Sequence, residues 1–231
     1  MITYDYFNPM PWGSHKQIID LIGSDKFVLD LGCSTGRLSE AIRNRGNIVY
    51  GIELNPFNAE IAKRVCNEVF VGSIESIEQF SLKNDSFDVI LLADVLEHLS
   101  HPESTLNSIK KLLKKDGFII VSLPNVAHIY VRMKLLLGKF DYEQVGILDK
   151  THLKFFTYKS ALSLLIDNGY VIEDVRITIP NYPRSLASNC SFSKIYAAFF
   201  RIANCWKQGL AFQFIFKATK SNVCITDGNE I

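Results

Sequence analysis

From Phe27 onward, short apolar runs alternate with stretches of helical character, and this alternation constrains the fold more than any other feature of the 231-residue chain. Five runs read as strands: 27–31, 48–52, 68–71, 87–92 and 118–123. The fourth is apolar on both faces, as a strand buried in a parallel sheet requires. Between them the sequence predicts a helix to about Arg45 after a glycine-bearing turn. A second helix is capped by Asn55 with Pro56 in its first turn and runs to about Val65. A third opens at Ser100-His101-Pro102-Glu103, which has capping-box spacing, runs through Lys115 and is ended by Gly117. Strands alternating with helices imply a parallel sheet covered on both faces.

Beyond Leu123 the pattern changes. Residues 124–156 read as irregular, with Pro124, Gly138 and Gly146 dividing apolar from basic pieces. Thr157 caps a helix ending at Asn168-Gly169, and 171–179 and 211–219 read as two late strands. The intervening 181–210 is too long for a hairpin turn and predicts a helix over about 193–206, while 220–231 reads as a frayed tail. No repeat or low-complexity tract divides the chain. The expectation is one domain over 1–231, with a core at about 25–125 and elaborations at about 124–156 and 181–210.

Composition narrows the function classes. Hydrophobic residues are 48% and charged residues 21%, which excludes global disorder, and a net charge of +1 argues against nucleic acid as partner. Residues 50–100 carry nine acidic against three basic side chains, and 101–160 ten basic against five acidic, so the second half offers a basic face to an anionic substrate or a plain solvated one. Cys33, Cys66, Cys190, Cys205 and Cys224 form no metal-like pair, fitting free thiols in a reducing cytosol. With no signal-peptide pattern and no apolar run of ~18 residues, the expectation is a cytoplasmic chain without a spanning segment.

The local signal for chemistry is Asp30-Leu31-Gly32-Cys33-Ser34-Thr35-Gly36, at the junction of the first strand and helix. Glycines there let the backbone turn tightly, and the helix start offers free N–H groups. Glu53 ends the second strand, where a carboxylate can accept hydrogen bonds from both hydroxyls of a ribose. A surface glutamate at a strand end is the plainer alternative. The dinucleotide pattern GxGxxG is absent, and Asp30 is ill placed beside a pyrophosphate but well placed beside a cationic amino acid. These features favour S-adenosylmethionine over NAD.

That turn, followed by Gly51-Ile52-Glu53, Asp94-Val95-Leu96-Glu97-His98-Leu99 and Lys115-Asp116-Gly117-Phe118, resembles in order and spacing the motifs of class I S-adenosylmethionine-dependent methyltransferases over about residues 25–125. The resemblance implies an α/β, Rossmann-like, seven-stranded sheet of order 3-2-1-4-5-7-6 with the last strand antiparallel and helices on both faces. It implies that Asp30, Gly32, Cys33 and Gly36 hold the methionine end and Glu53 the ribose. Leu54 would pack on the adenine, Ser73 and Ile74 would meet its edge, and Ala93, Asp94 and His98 would lie along the cofactor. Ser34 replaces a glycine of the pattern, and Ser73 an aspartate.

Leu123-Pro124-Asn125-Val126-Ala127-His128 and the run from Gly146 to Thr157 resemble a narrower bacterial subgroup associated with glycosyltransferases and surface-polysaccharide synthesis; ubiquinone-type O-methyltransferases share the first half less completely. The expected activity is therefore O-methylation of a sugar or small metabolite, the acceptor a nucleotide sugar or glycan. A non-catalytic regulatory subunit and, further off, an NAD-dependent oxidoreductase are the alternatives. An alcohol acceptor profits from a general base. His128 qualifies by following the fifth strand, and His152 and Asp149 by lying in the irregular stretch able to fold over the same opening. Each has a plain packing role as its alternative, and no residue is assigned to a metal. Arg132, Lys134 and Lys139 are candidates for a substrate phosphate. Tyr4, Tyr6, Phe7 and Trp12 read as a lid or as core cover. The stripe Ile195, Phe199, Ile202, Trp206 reads as core or as the interface of a homo-oligomer ahead of a membrane contact.

Overall fold

The computed structural model describes residues 10–180 and 190–221. Seven strands, β1 (Phe27–Leu31), β2 (Ile48–Glu53), β3 (Glu68–Val71), β4 (Phe87–Ala93), β5 (Leu113–Pro124), β6 (Tyr170–Ile177) and β7 (Gln213–Lys220), form one sheet of order β3-β2-β1-β4-β5-β7-β6. β1 to β5 pair in parallel, and β7 runs antiparallel between β5 and β6. This is the expected sheet, with the two late strands close to where the sequence put them.

Strand periodicity sorts the core into two layers. Leu29, Leu31, Ile90, Leu92, Ile119 and Val121 face one side, together with side chains of α4 (Pro102–Ile109), α6 (Tyr158–Asp167) and α7 (Cys190–Cys205). Val28, Val49, Val89, Leu91 and Ile120 face the other, against α1 (Ser14–Ile22), α2 (Arg37–Arg43) and α3 (Pro56–Ala62). Caps fall largely as expected. The Asn55 side chain accepts from the N–H groups of Phe57 and Asn58. Thr157 and Ser160 form a reciprocal capping box at α6.

Four expectations need correction. The helix from Pro102 ends at Ile109, because Leu112 and Leu113 are buried and draw the chain into β5. Ser100 does not cap it; the N–H of His101 is met instead by Glu75 Oε1 at 3.0 Å. Gly117 ends no helix but lies inside β5, at an irregularity where a Cβ would come within 2.9 Å of the Phe87 carbonyl. The stretch 124–156 is not wholly irregular, since it holds α5 (Ile129–Leu136). α1 was not foreseen. Trp12 is buried against Tyr196, so it covers the core. Tyr4, Tyr6, Phe7, Cys224 and the tail from residue 222 lie outside the described residues, whereas Lys220, read as the start of the tail, closes β7.

Candidate active site

The carboxyl ends of β1, β4 and β5 open into a cavity of about 300 Å³, the position where open α/β sheets bind ligands. Asp30, Gly32, Cys33, Ser34 and Thr35 form one wall. Asp30 Oδ2 accepts from Ser39 Oγ at 2.5 Å. Burial pushes its pKa up to about 7, with the Ser39 bond opposing and the Glu53 charge adding. Gly32 holds φ 74°, and a Cβ there would come within 2.9 Å of Val95. Ser34 has φ 49°, the left-handed region that explains why a glycine is usual in its place.

Glu53 fastens this turn. Its Oε2 accepts the Ser34 N–H and its Oε1 the Asn55 N–H, both at 2.8 Å, so one carboxylate joins the turn to the start of α3. Each oxygen keeps a lone pair for a ligand hydroxyl. Five of the expected cofactor residues do not line the cavity. Glu53 adjoins it through Ser34, and Leu54 is exposed just beyond β2. Ser73 caps a short 3₁₀ turn, Ile74 is buried in it, and Gly36 is the left-handed cap of α2, packed on Ala62 and Val65.

The opposite wall is polar. Asp94, at φ 54°, accepts from Ser122 Oγ at 2.7 Å, and Gln213 Nε2 reaches both its carboxylate oxygens at 2.9 Å, so β4, β5 and β7 are tied at one carboxylate. Glu97 is fully buried, with neither carboxylate oxygen meeting another residue's donor. Burial, Asp94 and Asp149 push its pKa well above the carboxylate range. The Glu97 carbonyl accepts the N–H groups of Leu153 and Lys154 at 2.8 and 3.0 Å, which brings the loop after Asp149 over β4. His98 and His152 then meet with ring centroids 4.9 Å apart. His152 Nδ1 donates to the Ile147 carbonyl at 3.1 Å, which leaves the proton-free nitrogen at Nε2. Burial, then the neighbouring His98, pushes the His152 pKa below its ordinary value, with the Ile147 carbonyl, Asp149 and Asp94 opposing.

The three expected catalytic residues part company here. His152 lines the cavity. Asp149 also lines it, but its Oδ1 accepts the Thr151 N–H and hydroxyl at 2.8 and 2.7 Å, a loop-holding role. His128 does not line it: Nδ1 caps α5 by accepting the Tyr130 N–H, and the ring packs edge-on to Phe212. Its neighbour Asn125 is equally structural, donating to the carbonyls of Gln208 and Ala211. The three cations expected at a phosphate do not converge on the cavity either. Lys134 pairs with Glu143 at 2.8 Å, Arg132 Nε donates to the Ala127 carbonyl, and Lys139 stands exposed.

Sequence reasoning missed Glu97, Ser122, Gln213 and His15, all on the cavity wall. Glu97 carried a signal, since it lies inside the Asp94–His98 motif; Ser122 and Gln213 become neighbours only through sheet order, and His15 reaches the wall from α1. Glu97, His98 and His152 also bring one donor atom each within 4.8 Å of one another, although no residue had been assigned to a metal.

A left-handed turn after β1, a carboxylate closing β2 and an antiparallel β7 inserted beside β5 define an S-adenosylmethionine-dependent methyltransferase fold. A family model described as a methyltransferase domain matches residues 15–175, and the chain belongs to that family. It is 28% identical over 159 residues to the mitochondrial ubiquinone biosynthesis O-methyltransferase of Schizosaccharomyces pombe, covering 66% of this chain and 58% of that one. It is 37% identical over 108 residues to the ubiquinone biosynthesis O-methyltransferase of Haemophilus ducreyi, covering 43% and 46%. The chain thus spans about half the length of these relatives. Among solved structures it superposes on an S-adenosylmethionine-dependent methyltransferase of Archaeoglobus fulgidus, with TM-score 0.60 and 18% identity over 90% of this chain and 95% of the other. Magnesium protoporphyrin IX methyltransferase of Synechocystis, solved with bound S-adenosylhomocysteine, gives TM-score 0.61 and 15% identity over 90% and 82%.

Proposed function

We propose that the protein methylates an oxygen of a small-molecule acceptor, with His152 as general base. The observation that carries this is the His152 tautomer: Nδ1 is committed to the Ile147 carbonyl, so Nε2 is basic in a ring that lines the cavity. Its lowered pKa keeps the imidazole neutral near pH 7, the state a base requires. Bound S-adenosylmethionine supplies a methyl carbon already activated by its sulfonium leaving group. The donor set fits that group, for Asp30 is a buried carboxylate short of a cation and Glu53 retains lone pairs for the ribose. Asp30, Gly32, Cys33 and Gly36 are assigned to the methionine end. Leu54, Ser73 and Ile74 are assigned to the adenine, and Ala93, Asp94 and His98 to the flank along the cofactor. His152 takes the hydroxyl proton at Nε2, while the walls position the acceptor and exclude water.

The names of the relatives favour an oxygen acceptor and do not favour the polysaccharide assignment. Arg132, Lys134 and Lys139 give a nucleotide sugar no shared phosphate site, so we place the acceptor among other hydroxyl-bearing metabolites. The test is transfer of labelled methyl from S-adenosylmethionine to a panel of phenols, polyols and nucleotide sugars. Transfer to a phenol or polyol supports the reading, and transfer to nucleotide sugars alone restores the sugar assignment. No transfer by protein that binds S-adenosylhomocysteine leaves a non-catalytic subunit.

A second reading is favoured by Glu97. A fully buried carboxylate without partners is costly unless it is protonated or meets a cation. Glu97, His98 and His152 fit a divalent cation, which would supply Lewis-acid activation of an acceptor hydroxyl in place of a histidine base. Chelation separates the readings: activity that survives EDTA supports the base, and loss restored by added divalent cation supports the metal.

A further inference from the structure

Half of the large apolar side chains exposed among the described residues fall between Tyr130 and Leu153. α5 buries only Val131, in a satellite cluster with Ile147 and Leu148. Met133, Leu135, Leu136, Leu137, Phe140 and Tyr142 point into solvent, with Leu136 and Leu137 at 77% and 71% exposure. So many exposed apolar side chains in one stretch mark a contact surface. It continues onto α7, where Ile195 and Ile202 are exposed at i, i+7 and Trp206 stands beyond the helix end. The inner side of that helix packs Phe199 and Ala203 against the core, so only part of the expected stripe is core. The Arg132 guanidinium lies 6.0 Å from the Trp206 ring and joins the two patches.

Charge on this face is mainly positive. Arg132, Lys139, Lys150 and Lys154 are exposed, against Asp141 alone among exposed acids of the same stretch. Glu143 is paired with Lys134, and Asp149 is buried. Exposed aliphatic and aromatic groups interleaved with cations match an anionic bilayer, whose headgroups neutralise the cations while the interface takes the apolar groups. A second copy of the chain fits less well, because a two-fold contact sets the same cations against one another. The face also leads to the cavity. Phe155 touches Phe140, Tyr142 and His152 at ring separations of 5.9, 6.4 and 6.2 Å, and both His152 and Val145 line the cavity wall.

We infer that α5, the loop to Leu153 and the outer side of α7 form a peripheral docking face for an anionic lipid bilayer, which sets the cavity mouth at the membrane surface. Among the described residues no helix is long and apolar enough to cross a membrane, so the contact is interfacial. The docking does not depend on which acceptor is methylated.

Co-sedimentation of the full chain with vesicles tests this. Vesicles of phosphatidylcholine with one third phosphatidylglycerol are expected to retain the protein, and phosphatidylcholine alone to retain far less. Salt is expected to release part of the bound fraction. The double variant Leu136→Glu, Leu137→Glu changes only exposed positions and is expected to partition at least tenfold more weakly, with S-adenosylhomocysteine binding unchanged as the control for folding. Lys139→Glu is expected to weaken binding to the anionic vesicles only. Failure of ligand-competent protein to bind either vesicle overturns the inference, as does equal retention of the double variant. A concentration-dependent dimer abolished by the same variant assigns the face to a second copy instead.

Discussion

The two walls of the cavity are built on different terms. The wall after β1 is a backbone device, with Gly32 and Ser34 at positive φ and one carboxylate, Glu53, accepting two N–H groups at 2.8 Å. Its residues come from neighbouring parallel strands and need only the sheet to meet. The opposite wall is a side-chain device, in which His98 after β4 meets His152 from a loop far along the chain, pinned by the carbonyl of Glu97. The first wall seats a non-glycine residue at positive φ at its tip, as Ser34 shows. The second depends on loop placement, and small displacements there cost more, because proton transfer needs hydrogen-bond reach.

That contrast breaks most sharply at His152. His152→Gln is expected to lower kcat about 10²–10⁴-fold, the usual weight of a general base, while leaving S-adenosylhomocysteine affinity within twofold. If both fall together, the two walls are not separable. The pH profile sharpens the point. Burial and His98 lower the His152 pKa, so the acid limb of kcat should fall below the ordinary histidine value near 6.5. A limb above that value would remove His152 from the role. On the cofactor side, Glu53→Ala removes two charge-assisted bonds of ~1.5–3 kcal/mol each, together with the ribose contact assigned to it. Calorimetry should show affinity for S-adenosylhomocysteine falling by about a hundredfold or more.

The same contrast separates what the sequence alone carries from what it does not. The sheet was legible because buried parallel strands leave unbroken apolar runs, and the glycine turn because glycine and acid spacing is set by one βαβ unit. The cap at Thr157 was legible for the same local reason. His152 and His98 were each reachable as candidates, whereas their meeting was not. Gln213 on Asp94, and Glu97 beneath the loop, depend on contacts between segments that sequence spacing does not rank. His128 misled because position after β5 says nothing about side-chain direction, and its ring turned inward to cap α5. Gly117 misled because the glycine that ends a helix and the glycine that admits a strand irregularity look alike in sequence.

Asp30 offers a gentler test of the backbone wall. Its carboxyl titrates near 7 when the site is free, raised by burial. The cationic ammonium of the ligand favours the ionised form, so affinity for S-adenosylhomocysteine should rise with pH through about 7 and level off above it, at most tenfold per pH unit on the acid side. Without ligand the sign reverses. A folded-state pKa raised above the unfolded one makes the protein less stable as pH climbs from the ordinary carboxylate range towards 7. Asp30→Asn should therefore abolish the pH dependence of binding and flatten that stability slope. A slope unchanged in the variant would assign the titration to another group.

The smallest effect expected separates either wall from the scaffold behind them. Thr157 accepts the Ser160 N–H and Ser160 Oγ accepts the Thr157 N–H, so the pair holds the start of α6 just after the loop that carries His152. Thr157→Ala should cost about 1 kcal/mol of stability, the usual weight of an N-cap, seen as a shift in Tm. S-adenosylhomocysteine affinity should not move, since α6 packs on the sheet face away from α2, which follows the glycine turn. A fall in kcat would be informative even so. Phe156 bridges to Asn125, and its carbonyl accepts the Val126 N–H at 2.9 Å, so slack at Thr157 reaches the loop through one residue. A lowered kcat with unchanged cofactor affinity would show that the histidine wall draws its placement from α6, and the glycine wall does not.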